Sequence, residues 1–249
     1  MGRVFDGLRD KLRAGPLHFT LIDPDKSPGA KAAEIAAGAV RLGSDAILLG
    51  GSTGISRAKM GEAVRAVKAA VPVPAIIFPE GPSSLSEAAD AVLFMSLLNS
   101  RRLDLVIRVH ARAAPVIRQM GIEPIALGYL VIAPGMRVGE VGEVDAVPRD
   151  APDVAVGYAL AAEMLGMQMV YLEAGSGAPA PVPASIVRAV RSALSVPLIV
   201  GGGIRTGEDA RTLLDAGAQI LVTGTVTEEE GLGEGFRGIL AEVTRARHR

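Results

Sequence analysis

Short aliphatic runs bounded by Gly, Pro or Asp recur along the chain: LHFTLID (17–23), DAILLGG (45–51), PAIIFP (74–79), DAVLFMSLLN (90–99), PIALGYLVIA (124–133), MQMVYLEAG (167–175), VPLIVGGG (196–203) and AQILVTGT (218–225). Their hydrophobicity is continuous rather than alternating, which is what strands covered on both faces require. Between them lie stretches of helical length and amphipathic spacing, at 28–42, 57–71, 103–120, 154–165, 183–194 and 206–216. Strand-like runs alternating with helices predict a parallel α/β architecture, and eight runs match a single TIM-type (β/α)8 barrel spanning 1–249. The third connection, 80–89, opens Gly-Pro-Ser-Ser and leaves room for one or two turns, so the third helix is expected to be short or missing. The stretch 134–152, rich in Gly, Val and acidic residues, reads as a loop on the rim that carries substrate contacts in such barrels.

Composition narrows the classes of function. Hydrophobic residues make up 49% of the chain, with five Phe, three Tyr and no Trp, so the core is aliphatic. A formal charge of −1 gives no long-range field to gather nucleic acid, and any anion site must be local. No cysteine is present, which excludes a disulfide framework, a thiolate nucleophile and a Cys-based zinc site. The first fifteen residues are charged, with no apolar core of signal-peptide length, and no apolar run reaches a membrane span. A cytoplasmic protein without a transmembrane segment is expected, with room for peripheral membrane contact.

In this fold the polar residues that close each strand face the active site. The seventh run ends in Gly201, Gly202 and Gly203, followed by Ile204, Arg205 and Thr206; the eighth ends in Gly224 and Thr225. Glycines there let the backbone approach phosphate oxygens, and the pair forms the usual phosphate cradle after strands seven and eight. The bland alternative is that they serve tight turns. The sixth run ends YLEAGSG, placing Glu173 at the mouth, where it can bind a hydroxyl and accept its proton or, alternatively, pair with a basic neighbour. The first run ends in Asp23, Pro24, Asp25 and Lys26 and the second in Gly50, Gly51, Ser52 and Thr53. Few hard oxygens beside room for water and phosphate suit magnesium, and Lys26 adds a positive charge for a diphosphate. The same residues also make good turns and helix starts. His18 and His110 read as core or surface residues, and the basic tail 245–249 as a solvated helix end.

The combination HFTLIDPDK (18–26), GGSTGI (50–55), YLEAGSG (171–177), GGGIR (201–205) and GT (224–225) resembles the geranylgeranylglyceryl phosphate synthase family, an archaeal-type prenyltransferase family, and most resembles the second of its two large groups. The resemblance implies transfer of a geranylgeranyl group from its diphosphate to the C3 hydroxyl of sn-glycerol 1-phosphate, with Mg2+ as cofactor. It implies that Asp23 and Ser52 hold the metal. Tyr171, Leu172, Glu173, Ala174, Gly175, Ser176 and Gly177, with Gly202, Gly203, Gly224 and Thr225, would surround glycerol phosphate, and Glu173 would take the hydroxyl proton. The resemblance further implies homo-oligomers, dimers or hexamers. A C20 chain needs an apolar trough, for which Phe78, Leu93, Met95, Leu98, Tyr129 and Val131 are candidate walls. Rival readings are a different prenyl length, as in the related heptaprenylglyceryl phosphate synthases, an aldolase or isomerase barrel on the same cradle, and a phosphate-binding barrel without catalysis.

Overall fold

A computed structural model describes residues 2–51 and 54–248. In chain order its regular elements are α1 (Arg3–Leu12), β1 (Leu17–Ile22), α2 (Gly29–Arg41), β2 (Ala46–Gly50), α3 (Arg57–Ala70), β3 (Ala75–Phe78), β4 (Ala91–Leu97), α4 (Val109–Met120), β5 (Glu123–Val131), α5 (Met136–Val141), α6 (Pro152–Met164), β6 (Met169–Glu173), α7 (Ala184–Ala193), β7 (Leu198–Gly201), α8 (Gly207–Asp215), β8 (Ile220–Thr223), α9 (Thr225–Glu230) and α10 (Glu234–Arg247). The eight strands pair in sequence order, all parallel, and β8 closes on β1, with Leu17 opposite Ile220 and Thr20 opposite Thr223. The expected TIM barrel is formed.

The continuous hydrophobic runs are explained by two buried layers. Alternate residues such as Phe19, Leu48, Ile76, Leu127, Ile199 and Val222 fill the barrel interior. Their neighbours, among them Ile47, Ile77, Leu130, Val200 and Leu221, pack outward against the helices. Both faces of the strands are largely dry, so most of their positions are apolar rather than alternating as in a half-exposed strand.

The β3–β4 connection holds a single turn of 3-10 helix, Pro82–Ser84, as the Gly-Pro-Ser-Ser opening predicts. After β4 a π-helical turn, Asp104–Arg108, runs directly into α4. Two features depart from the sequence reading, and a third adds to it. The stretch 134–152 is not wholly a loop, since its first part winds into α5, a helix of six residues whose Val138 packs on the interior core. So short a helix is stabilised by contacts rather than periodicity, so no pattern announces it. The charged N-terminus forms α1, which turns Phe5 and Leu8 into the core. The basic tail is not simply solvated: Arg247 pairs with Asp45, whose carboxylate is largely buried, and its Nε donates to the Pro16 carbonyl at 2.8 Å.

Candidate active site

The C-terminal strand ends open into a cavity of about 690 Å3. Its polar end is built around Glu173, the last residue of β6, which is 6% exposed. Glu173 Oε1 accepts the Gly175 N–H at 2.6 Å and Oε2 accepts the Tyr129 hydroxyl at 3.0 Å, and the Tyr171 hydroxyl, close to the same carboxylate, also favours its charged form. Burial holds the Glu173 carboxyl above its usual range, while these three donors pull it back down. Burial and the adjacent carboxylate push both tyrosines well above their ordinary value, so they remain donors. The Tyr129 and Tyr171 rings lie 4.9 Å apart and Phe78 meets both edge-on, so an aromatic floor separates this carboxylate from the barrel interior.

The cradle closes around it. Gly202 and Gly203 follow β7 with φ of 81° and 69°, a region in which any residue but glycine is strained. A β-carbon at Gly202 would fall 2.2 Å from Glu173 Oε1, and one at Gly203 would fall 2.6 Å from the Ala180 carbonyl. Tight turns and close approach are therefore the same fact here, because the bare backbone is what brings β7 against the carboxylate. Ser176 and Thr225 join their hydroxyls at 2.8 Å across the opening, linking the loop after β6 to the end of β8. Beneath that end Thr223 bonds His18 Nε2 at 3.0 Å. His18 is buried, its pKa lowered to about 3 by burial and then by Arg247, so it stays neutral and serves packing, as the sequence suggested.

Tyr171, Glu173, Ser176, Gly177, Gly202, Gly203, Gly224 and Thr225 thus line one cavity. Leu172 does not: the strand alternation turns its side chain outward, fully buried against the helical layer. Ala174 is buried in the same outer cluster, so these two can offer only backbone, and Gly175 spends its N–H on Glu173. Asp23, 4% exposed, lines the mouth after β1; its Oδ1 accepts the Asp25 N–H at 2.9 Å, and Lys26 Nζ lies 4.0 Å from Oδ2. The turn reading and the site reading of Asp23 are therefore compatible. Ser52 lies outside the described residues.

The apolar end extends away from Glu173 through the side left open by the missing third helix. Phe78, Leu93, Met95 and Tyr129 line it as expected, whereas Leu98 packs in the outer layer and Val131 within the closed interior. The remaining wall comes from Leu85 and from Leu105, Val109, His110, Ala113 and Ile117 around α4. Sequence reasoning missed these because it took walls from strands, and α4 becomes a wall only where no helix follows β3. It also gave Tyr129 an apolar role, although its hydroxyl reaches Glu173 from a register opposite Tyr171 that the sequence alone does not set.

Residues 9–243 match the PcrB family model. Geranylgeranylglyceryl phosphate synthase of Thermococcus kodakarensis is 46% identical over 245 residues, covering 98% of this chain and 97% of its own length. That of Methanothermobacter thermautotrophicus is 48% identical over 226 residues, covering 91% and 92%. The crystal structure of (S)-3-O-geranylgeranylglyceryl phosphate synthase from Thermoplasma acidophilum, in complex with its substrate sn-glycerol-1-phosphate, superposes with a TM-score of 0.94 at 44% identity, over 98% of this chain and all of that one. A family model matched over nearly the whole barrel, with relatives of such identity over nearly their full length, means that this chain belongs to the PcrB family.

Proposed function

We propose that this protein is a prenyltransferase joining geranylgeranyl diphosphate to the C3 hydroxyl of sn-glycerol 1-phosphate, giving geranylgeranylglyceryl phosphate and diphosphate. The observation that carries this reading is one cavity with two ends: a glycine cradle around a buried carboxylate, and an apolar trough leading out between β4 and α4. Relatives of this length and identity bear the same enzyme name, and a solved relative holds sn-glycerol-1-phosphate.

The chemistry follows from the placement. Glycerol phosphate sits with its phosphate against Gly202, Gly203, Gly224 and Thr225 and its hydroxyl at Glu173. The C3 oxygen attacks the first carbon of the prenyl chain, that carbon's bond to the diphosphate oxygen breaks, and Glu173 accepts the proton. The tyrosines hold the carboxylate in place, and the aromatic floor and apolar walls keep water from competing for the allylic carbon.

Among the described residues no group of three or more His, Cys, Asp or Glu could hold a metal. One buried carboxylate at the mouth, with a bare Gly51 whose β-carbon position lies 3.9 Å from Asp23 Oδ2, fits a site completed by diphosphate oxygens and water, which is how magnesium is commonly bound. We assign that role to Asp23 with Ser52; when bound, magnesium would neutralise the departing diphosphate. We further infer a homo-oligomeric, cytoplasmic enzyme from the family resemblance; no helix among the described residues is long and apolar enough to cross a membrane.

The test is magnesium-dependent diphosphate release from geranylgeranyl diphosphate, comparing sn-glycerol 1-phosphate with its enantiomer, in wild type and Glu173→Ala. Turnover selective for the 1-phosphate and lost in the variant is expected. A folded wild type inactive with both enantiomers and with every prenyl length would leave only a phosphate-binding barrel.

A further inference from the structure

Two cations face the diphosphate end of the cavity from opposite sides. Lys26 follows β1, and Arg137 is the second residue of α5, in the connection after β5. In a closed ring of eight strands, β1 and β5 stand across the barrel from one another. Both side chains nevertheless line the same cavity. Their proximity is felt electrostatically: the Glu228 hydrogen bond holds Lys26 above its usual value, and the Arg137 guanidinium works against it.

The backbone anchors the start of α5, which carries Arg137, beside the cavity. Gly135 donates its N–H to the Ala174 carbonyl at 3.0 Å, and Gly139 donates to the Gly135 carbonyl at 3.0 Å. A β-carbon at Gly175 would lie 2.6 Å from the Gly135 carbonyl, so the loop after β6 is seated directly against the start of α5. Arg137 is therefore built onto the same loop that supplies the Gly175 N–H to Glu173. Arg205, which also lines the cavity and pairs with Glu229 at 2.8 Å, follows directly on the Gly202–Gly203 turn, which places it at the glycerol phosphate end. The mouth beside Asp23 is thus left to Lys26 and Arg137. A planar guanidinium presents a fork of donors suited to phosphate oxygens, whereas an ammonium acts as a point charge.

We propose that Arg137 is a diphosphate-binding residue, gripping the leaving group of the prenyl donor from the side of the barrel opposite Asp23 and Lys26. The assignment rests on the prenyltransferase reading for the identity of the donor, but not for the anion it recognises. Arg137 would draw the diphosphate toward the centre of the mouth and offset the charge that develops as it departs.

The experiment measures inorganic pyrophosphate binding by calorimetry, in magnesium buffer, to wild type, Arg137→Gln and Arg137→Lys, alongside KM for geranylgeranyl diphosphate and for glycerol phosphate. Loss of a charge-assisted contact predicts pyrophosphate affinity and prenyl-donor KM each worse by roughly tenfold or more in Arg137→Gln. Arg137→Lys should recover part of the loss, and glycerol phosphate KM should stay within about twofold. Unchanged pyrophosphate affinity overturns the proposal, as does a defect confined to glycerol phosphate. Calorimetry does not need turnover, so an inactive wild type would sink the prenyltransferase reading while the Arg137 comparison still stands or falls separately. Should Arg137→Gln fail to fold, Arg137→Lys reads the same constants.

Discussion

A carboxylate serves as a base only while its ionised form is held where water is scarce, and the base role proposed for Glu173 sets burial against hydrogen bonding. Burial raises its pKa, and the Gly175 N–H and two tyrosine hydroxyls lower it again. The rate should therefore fall as pH is lowered through the Glu173 pKa, because the protonated acid cannot accept the hydroxyl proton. Tyr129→Phe deletes a donor to Oε2 and should move that acid limb of the kcat profile to higher pH. An unmoved limb would show that another group sets it. Glu173→Gln should lower kcat by roughly 10²–10⁴, the usual yield of a positioned base. Its stability should move the other way. A carboxyl whose folded pKa lies above its unfolded value contributes stability that is present at low pH and is lost as pH rises through the folded pKa. Glu173→Gln removes that loss, so at alkaline pH it should melt no lower than wild type. Gly202→Ala tests the close approach beside it: the new β-carbon meets Oε1 at 2.2 Å, so kcat and glycerol phosphate KM should both suffer.

Among the elements, those whose cause is local could be read in the sequence, and those whose cause is distant could not. The strands announce themselves because both faces are buried, and α8 because Thr206 and Asp209 form a reciprocal cap. The β3–β4 turn follows from its Gly-Pro opening. The α1 helix is different. Its N-terminus carries no side-chain cap of its own, and its first N–H groups, those of Val4 and Phe5, donate at 2.8 and 2.9 Å to Glu123, 119 and 118 residues away. No window along the chain contains that interaction. The same holds for Arg247, which reaches Asp45, the carboxylate that also accepts the His18 N–H at 3.0 Å. Glu123→Ala should cost about 1–2 kcal/mol, as loss of a charged helix cap does. Thermal melting should then fall by roughly 2–8 °C. Since α1 closes the end of the barrel remote from Glu173, kcat should be unaffected, and a change in kcat would mean that the two ends are coupled.

At the scale of the molecule, the site owes its shape to an omission. In most of the ring a helix covers the gap between adjacent strands, but after β3 there is one short turn, and the cavity runs out through that side to Ala113 and Ile117 of α4. A nearly neutral protein can therefore hold a donor with a highly charged head and a long apolar tail, because head and tail occupy different sectors of one opening. Burying hydrocarbon yields about 0.8 kcal/mol per methylene, so each five-carbon isoprene unit contributes up to roughly 4 kcal/mol of gross affinity. That makes trough length, rather than the cradle, the selector of donor. Ala113→Phe narrows the trough between α4 and the strands, on the side away from the cradle. It should lower kcat/KM for geranylgeranyl diphosphate at least tenfold, while donors one or two isoprene units shorter lose little and glycerol phosphate KM stays constant. Equal losses for every donor would mean that the chain does not pass Ala113. A wild type that prefers donors longer than C20 would show the trough to extend beyond Ile117.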